Sequence, residues 1–319
     1  MTVSLGVISR GRLAIAIAVT ALCVAVPLVI QQDYQLNILF RVFLFAAMGL
    51  AWNLVGGYTG QLSLGHAAFF GIGAYGLAIF HGKLGLPVPL ALVAGVATAT
   101  LAAAGIGRVA FRLRGPYFAL ATIAFAEVLR LTAKNLPAIT GGDVGLQVPM
   151  MFESSPGRMF YWAAVALAAA AFAITVWVTR SRFGYALLAI REDEDTALAC
   201  GIDTTRTKLV ALLISAALTA LGGALYASLF LFIVPDQVFG IDISNEIAIA
   251  AMLGGAGTWI GPILGSVLLE LALESFKNQF QEAHLIIYGA LIVLVVMVLP
   301  EGIVGGATGL WRKYGGGRR

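Results

Sequence analysis

Apolar runs separated by short polar interruptions set the rhythm of this chain. They fall at residues 13–30, 36–55, 61–80, 87–107, 116–135, 159–179, 208–232, 241–256, 258–276 and 285–299. Crossing the hydrocarbon of a bilayer takes about 20 mostly apolar residues in a helix, and most of these runs have that length. The third and eighth are the weakest, because glycine and other small residues dilute them. Most connections are short, which makes successive helices antiparallel neighbours. Two are long: 136–158, punctuated by Pro137, Gly141, Gly142 and Pro156, and the charged stretch 180–207. The pattern predicts an all-α polytopic membrane protein of about ten transmembrane helices, a single domain over 1–319.

Composition agrees. The 319 residues are 60% hydrophobic and 11% charged, against about 25% charged in ordinary soluble domains. With a mean hydropathy of +0.93, no single soluble core could hide so much apolar surface. A pI near 9.2 would suggest nucleic acid in a soluble protein, but here the basic residues sort by side, so no nucleic-acid partner is expected. With the N-terminus inside, fourteen of the 20 Lys and Arg fall in cytoplasmic segments, while Lys83, Lys134, Arg158 and Lys277 fall outside. This positive-inside bias makes both termini and the 180–207 loop cytoplasmic, and the 136–158 loop external. Arg10 and Arg12 precede the first run, which is read as an uncleaved helix rather than a signal peptide. Cys23 and Cys200 lie in different compartments, so neither a disulfide nor a metal site is expected.

Charge is scarce within the runs, and each ionisable residue there requires a reason. Glu127 and Arg130 stand three apart on one span, and Arg41 is expected to complete a buried charge network with them. Glu270 and Glu274 share a face of the ninth span. A proton relay would instead join Glu127, His66 and Glu270. The packing network is preferred, because an arginine partner favours a permanently charged carboxylate over one poised to titrate. Gly56-x-x-x-Gly60 and Gly261-x-x-x-Gly265 suit close helix packing. Glycine-interrupted spans can also be helices broken beside a pathway. Ser63, Ala67, Gly73 and Gly76 match Ser244, Ala248, Gly254 and Gly257 at one constant offset, in spans running oppositely, as an inverted repeat would. GIGAYG (71–76) fits the dinucleotide pattern in letters only, since it lies inside an apolar span. HGKLG (81–85) lacks the first glycine and the Ser/Thr of a phosphate loop, so the sequence carries no ATPase motif. Nor does it hold a nucleophile–base constellation or metal-ligand spacing, which argues against an enzyme.

The densest charge is Arg191-Glu192-Asp193-Glu194-Asp195, which leads into Thr196-Ala197-Leu198-Ala199-Cys200 and then Gly201. Acids at a helix start and glycine after its end complement the helix dipole and allow a left-handed cap. A short cytoplasmic helix along the membrane surface is predicted there. Arg191, Arg206 and Lys208 are expected to offset part of the acidic charge, and Ala197 and Leu198 to offer an apolar docking face.

DTALACG (195–201) resembles the coupling motif of ABC-importer permeases, which reads Glu-Ala-Ala, three residues, Gly. Asp195 stands for the Glu, Thr196 and Ala197 for the alanines, and Gly201 for the Gly. GGYTGQLSLGHAAFFGIGAYG (56–76), RLRGPYFALATIAFAEVLRL (112–131), TGGDVGL (140–146), SRFGYALLAIREDEDTALACGID (181–203) and MLGGAGTWIGPILGS (252–266) follow in order. Together they resemble the M-type permease subunit of branched-chain amino-acid ABC importers, over residues from about 36 to 300; urea and short-chain amide importers use close relatives. The resemblance implies an inner-membrane permease paired with a homologous H-type subunit or a second copy. It also implies two cytoplasmic ATPases that bind the ATP and a periplasmic substrate-binding protein. Coupling to the ATPases would involve Arg191, Glu192, Asp195, Thr196, Ala197, Leu198 and Gly201. Gln61, Ser63, Gly65, His66, Ser244, Gly254 and Gly255 are candidates to line the translocation pathway. The alternative is a stand-alone, gradient-driven carrier or channel for small polar solutes, using Glu127 and His66 directly.

Overall fold

A computed structural model describes residues 32–152 and 155–279, together with 26–27, 289 and 302–306. The predicted runs 13–30 and 285–299 lie outside the described residues except at 26–27 and 289, as do Cys23 and both termini. The chain forms α1 (Asp33–Val55), α2 (His66–Leu77, prolonged by a π-helical stretch Ala78–Lys83), α3 (Val88–Ala110), α4 (Pro116–Lys134) and α5 (Pro156–Arg180). Two short helices occupy the charged loop, α6 (Arg182–Glu192) and α7 (Glu194–Ala199). Then come α8 (Thr204–Phe230), α9 (Ile241–Gly255) and α10 (Gly261–Gln279). Proline opens α3, α4 and α5 in the first turn, where a backbone N–H has no partner within the helix.

Among the described residues, six segments are long and apolar enough to cross a membrane: α1, α3, α4, α5, α8 and Pro235–Gly255, which ends in α9. Two more of the ten expected runs differ in detail. Residues 60–65 run without helix, so the run expected at 61–80 is helical only from His66, continuing to Lys83. α10 carries Glu270, Glu274 and Lys277 within its 19 residues, too much charge for a purely apolar crossing. Two short strands also appear at the end opposite the charged loop. β1 (Leu146–Gln147) pairs antiparallel with β2 (Phe232–Ile233), Leu146 opposite Ile233, and fastens the 136–158 connection to the chain leaving α8.

α1 and α2 form the centre. Every residue from Leu44 to Val55 is buried, and all of α2 except Ile72. α5, α8 and α10 pack around α1, while α8 also covers α2 and α3. The periphery is legible in α3, where the buried residues Ala91, Gly95, Ala99, Ala103 and Gly107 recur every fourth position. Leu90, Val93, Leu101 and Val109 face out. Small residues inward and large aliphatic ones outward suit a helix with protein on one side and lipid on the other.

Several contacts are backbone to backbone. A Cβ at Gly73 would collide with the carbonyl of Ala220, one at Gly223 with that of Phe70, and one at Gly265 with that of Ala250. Gly261 and Gly265 therefore do bring α10 against α9. Gly56 and Gly60 do not play that part: Gly56 ends α1, and Gly60 lies beyond it with a left-handed φ of 71°. The constant offset between the two glycine-rich spans also fails to align the helices. Ser63 precedes α2, whereas Ser244 lies inside α9. What recurs is an interrupted stretch before a short helix, at 56–65 and at 231–240.

Overpacking a close backbone contact costs about 1–3 kcal/mol. Gly73→Leu is thus expected to lower the thermal midpoint of the detergent-solubilised protein. Gly105→Leu, on a face with no atom within 4 Å, should leave it unchanged. Circular-dichroism melts of the two variants check the contrast.

Candidate functional site

Three capped helix starts follow one another in the charged loop. Ser181 Oγ accepts from the Gly184 N–H at 3.3 Å, Asp193 Oδ1 from Thr196 at 2.6 Å, and Asp203 Oδ1 from Arg206 at 2.9 Å. Each satisfies a first-turn N–H that has no partner within its helix. α7 closes on Gly201, whose φ of 86° is left-handed. The Gly201 N–H donates to Leu198 O at 2.9 Å, and the Ile202 N–H to Ala197 O at 3.1 Å. The predicted surface helix therefore exists, with its glycine stop. Its start differs: Asp193, in extended conformation, interrupts the acidic run, so Arg191 and Glu192 end α6 instead of opening α7.

Ion pairs fix α7 to the bundle. Lys208, fully buried near the start of α8, donates to Glu194 Oε1 at 2.6 Å, and its ammonium lies 5.3 Å from the centre of the Phe111 ring. Arg114, in the turn between α3 and α4, grips both oxygens of Asp195 at 2.7 and 2.9 Å. Hydrogen bonding to Arg114 holds the Asp195 carboxyl below the usual carboxylate range, and the Thr196 N–H does the same for Asp193. Both stay charged at neutral pH. Of the bases expected to balance these acids, Lys208 alone does so; Arg114 serves in place of Arg191 and Arg206. The docking face is also narrower than expected. Ala197 is buried against the bundle, while Leu198 is 57% exposed, with Glu192, Thr196 and Cys200 exposed near it in sequence.

The ends of α1 and α9 meet close by. Asn53, in the last turn of α1, donates from Nδ2 to Thr258 O at 2.7 Å and accepts the Gly257 N–H at Oδ1, also at 2.7 Å. One amide thereby staples the segment after α9 to α1. A lone asparagine in the apolar run AWNLV was the signal, and it was missed. Arg191 reaches the same place: its stem lies against Gly60 and its guanidinium against Gly257, beside the Gly57 carbonyl.

The intramembrane charges form two groups, not one. Arg41 pairs with Glu270 at 3.0 Å and Glu246 at 3.5 Å, between α1, α9 and α10. Glu127 and Arg130 belong elsewhere, at the end opposite the charged loop, where Arg130 also meets Asp236 and Lys134 joins Asp236 at 2.7 Å. The Glu127 side chain is 47% exposed, so this network is not buried. Glu246 was overlooked, although a single acid in ISNEIAIAAM marked it. His66 is buried, with Nδ1 3.1 Å from Ser63 Oγ and Nε2 2.8 Å from Ser215 Oγ. Glu127, His66 and Glu270 thus have separate partners, and the described residues offer no relay between them.

The remaining pathway candidates join helices within this chain. Ser63 and Gly65 border a narrow apolar crevice with Phe69, Phe118 and Leu212. Ser244 Oγ accepts from the Ala67 N–H at 2.8 Å, tying α9 to the start of α2. Gly254 and Gly255 are buried at the end of α9, Gly254 against the carbonyl of Gly261. Gln61 alone among the candidates is not fully buried.

The family model described as branched-chain amino acid transport system / permease component matches residues 34–296. The high-affinity branched-chain amino acid transport system permease protein LivM of Salmonella typhimurium is 30% identical over 319 residues, covering 90% of this chain and 73% of the relative. LivM of Escherichia coli is 30% identical with 90% and 74% coverage. The permease protein LivH of Escherichia coli is 26% identical, over 82% of this chain and 91% of the relative. No solved structure matches. With the family pattern running through nearly all of its described helices, the chain belongs to the permease components of branched-chain amino acid transport systems.

Proposed function

We propose that this chain is an M-type translocation subunit of an ABC importer for branched-chain or related amino acids. Partner ATPases supply the energy and bind the ATP. A homologous H-type permease completes the channel, and a periplasmic binding protein delivers the cargo at the end that carries β1 and β2. On this reading the charged loop and both termini face the cytoplasm of a bacterial cell, an orientation that the positive-inside bias of the sequence supports. The substrate class comes from the names of the relatives.

The observation that carries the reading is the construction of α7. It is a six-residue helix capped at both ends and held by Lys208–Glu194 and Arg114–Asp195, with Leu198 turned away from the bundle. A large aliphatic side chain at the centre of a charged, solvent-facing rim suits a protein partner. Among the described residues Glu127, His66 and Glu270 have separate partners, which speaks against the relay that a gradient-driven carrier would need.

In proteoliposomes containing the complete complex, leucine uptake is expected to require ATP on the ATPase side. Uptake driven by a proton gradient without ATP would overturn the assignment. Leu198→Asp is expected to release the ATPases while the chain still inserts, read by co-purification. Glu192→Gln should keep them, since its carboxylate lies at the rim, where charge acts mainly on encounter rate. Lys208→Met leaves Glu194 without its buried partner; breaking such a pair costs about 3–5 kcal/mol. A markedly lower melting midpoint is expected for it, and almost no change for Arg114→Ala, whose pair is solvent-exposed.

A further inference from the structure

Arg191 stands beside four acids in sequence, yet none of them is its ion-pair partner in the structure. Its side chain turns the other way. Cγ lies 3.4 Å from the point where a Cβ at Gly60 would stand, and Nη1 fills the space that a side chain at Gly257 would need. Gly257 also has a left-handed φ of 80°, and the Gly57 carbonyl lies 3.2 Å from the point where its Cβ would stand. The buried Tyr58 hydroxyl, without a hydrogen-bond partner, is close enough to interact electrostatically with the guanidinium. Gly57 and Gly257 lie just beyond the ends of α1 and α9. Two helix C-termini, each carrying the partial negative charge of its helix dipole, thus converge on one cation. The planar, multi-donor head of arginine can serve both, which a lysine point charge does less well.

We infer that Arg191 is a positioning residue: a cationic clamp shared by the ends of α1 and α9, through which displacement of α6 and α7 reaches both helices at once. Asn53 joins the two ends to each other, and Arg191 joins that junction to the charged loop. Only the source of the displacement, ATPases docked on α7, rests on the proposed function.

The test uses the full chain co-expressed with its ATPases and partner permease, carrying Arg191→Ala, Arg191→Lys or Gly257→Ala. In Arg191→Ala, hydrogen exchange in peptides covering 50–64 and 250–262 should quicken at least tenfold while ATPase retention is unchanged. The ATP hydrolysed per leucine taken up should rise at least fivefold, a readout that loss of stability alone does not move. Arg191→Lys should recover part of both. Gly257→Ala, which crowds the guanidinium with Arg191 present, should match Arg191→Ala, and the double variant should be no worse than either. Should Arg191→Ala fail to accumulate, Arg191→Lys and Gly257→Ala carry the same readouts. Unchanged exchange would overturn the clamp, and so would loss of the ATPases from Arg191→Ala, which would make Arg191 a docking residue. If the unmodified complex takes up no branched-chain amino acid, the transport assignment fails, and the exchange result by itself decides the clamp.

Discussion

Contact of backbone on backbone sets the spacing of α2 against α8 and of α9 against α10, through Gly73, Gly223 and Gly265. Lipid tails are as apolar as leucine, so burying aliphatic side chains gives little drive for helices to associate in a membrane. Van der Waals contact at short range and interhelical hydrogen bonds must supply it. The same demand for polar satisfaction governs the interruption between α1 and α2, where the chain leaves helix and its backbone groups need other partners. Ser63 O accepts from Trp52 Nε1 at 2.7 Å, the Leu64 N–H donates to Thr122 Oγ1 at 3.1 Å, and the Gln61 N–H reaches Val55 O at 3.4 Å. The buried short helix α2 is possible because its neighbours complete the hydrogen bonding that its interrupted approach leaves open.

Charge is organised on the same principle of joining elements far apart in sequence. Arg41 links α1 to α9 and α10, Lys208 links α8 to α7, and Arg114 links the α3–α4 turn to α7. Arg130 and Lys134 tie α4 to Asp236, just ahead of α9. Among the described residues, no hydrogen-bonded route joins Glu127, His66 and Glu270. The geometry of the intramembrane charges is that of fasteners between helices.

Hydropathy alone located α1, α3, α4, α5 and α8 to within a few residues, because each is a long run whose ends coincide with proline, glycine or charge. Partnerships were less visible. Glu127 and Arg130 could be paired from their spacing, but nothing local points from Arg41 to Glu246 or from Asp195 to Arg114. The split of the acidic run at Asp193 turns on one side chain taking the capping role in preference to a helix interior, a competition that sequence states only weakly. In a helix as short as α7, periodicity cannot tell that Ala197 faces inward and Leu198 outward. Gly56 and Gly60 have the spacing of a packing motif, but the chain has already left the helix between them.

A six-residue helix is far below the length at which helices persist alone in water, since the first turn must form before any gain from extending it. α7 escapes that nucleation cost because its caps and its two ion pairs are completed by the folded bundle. On the proposed function, a partner docking on Leu198 would encounter a surface already ordered. The conformational entropy of forming α7 is lost once, when the chain folds, and not again at every association. Release and re-engagement of such a partner would then proceed at rates set by diffusion and orientation, without waiting for a segment to fold.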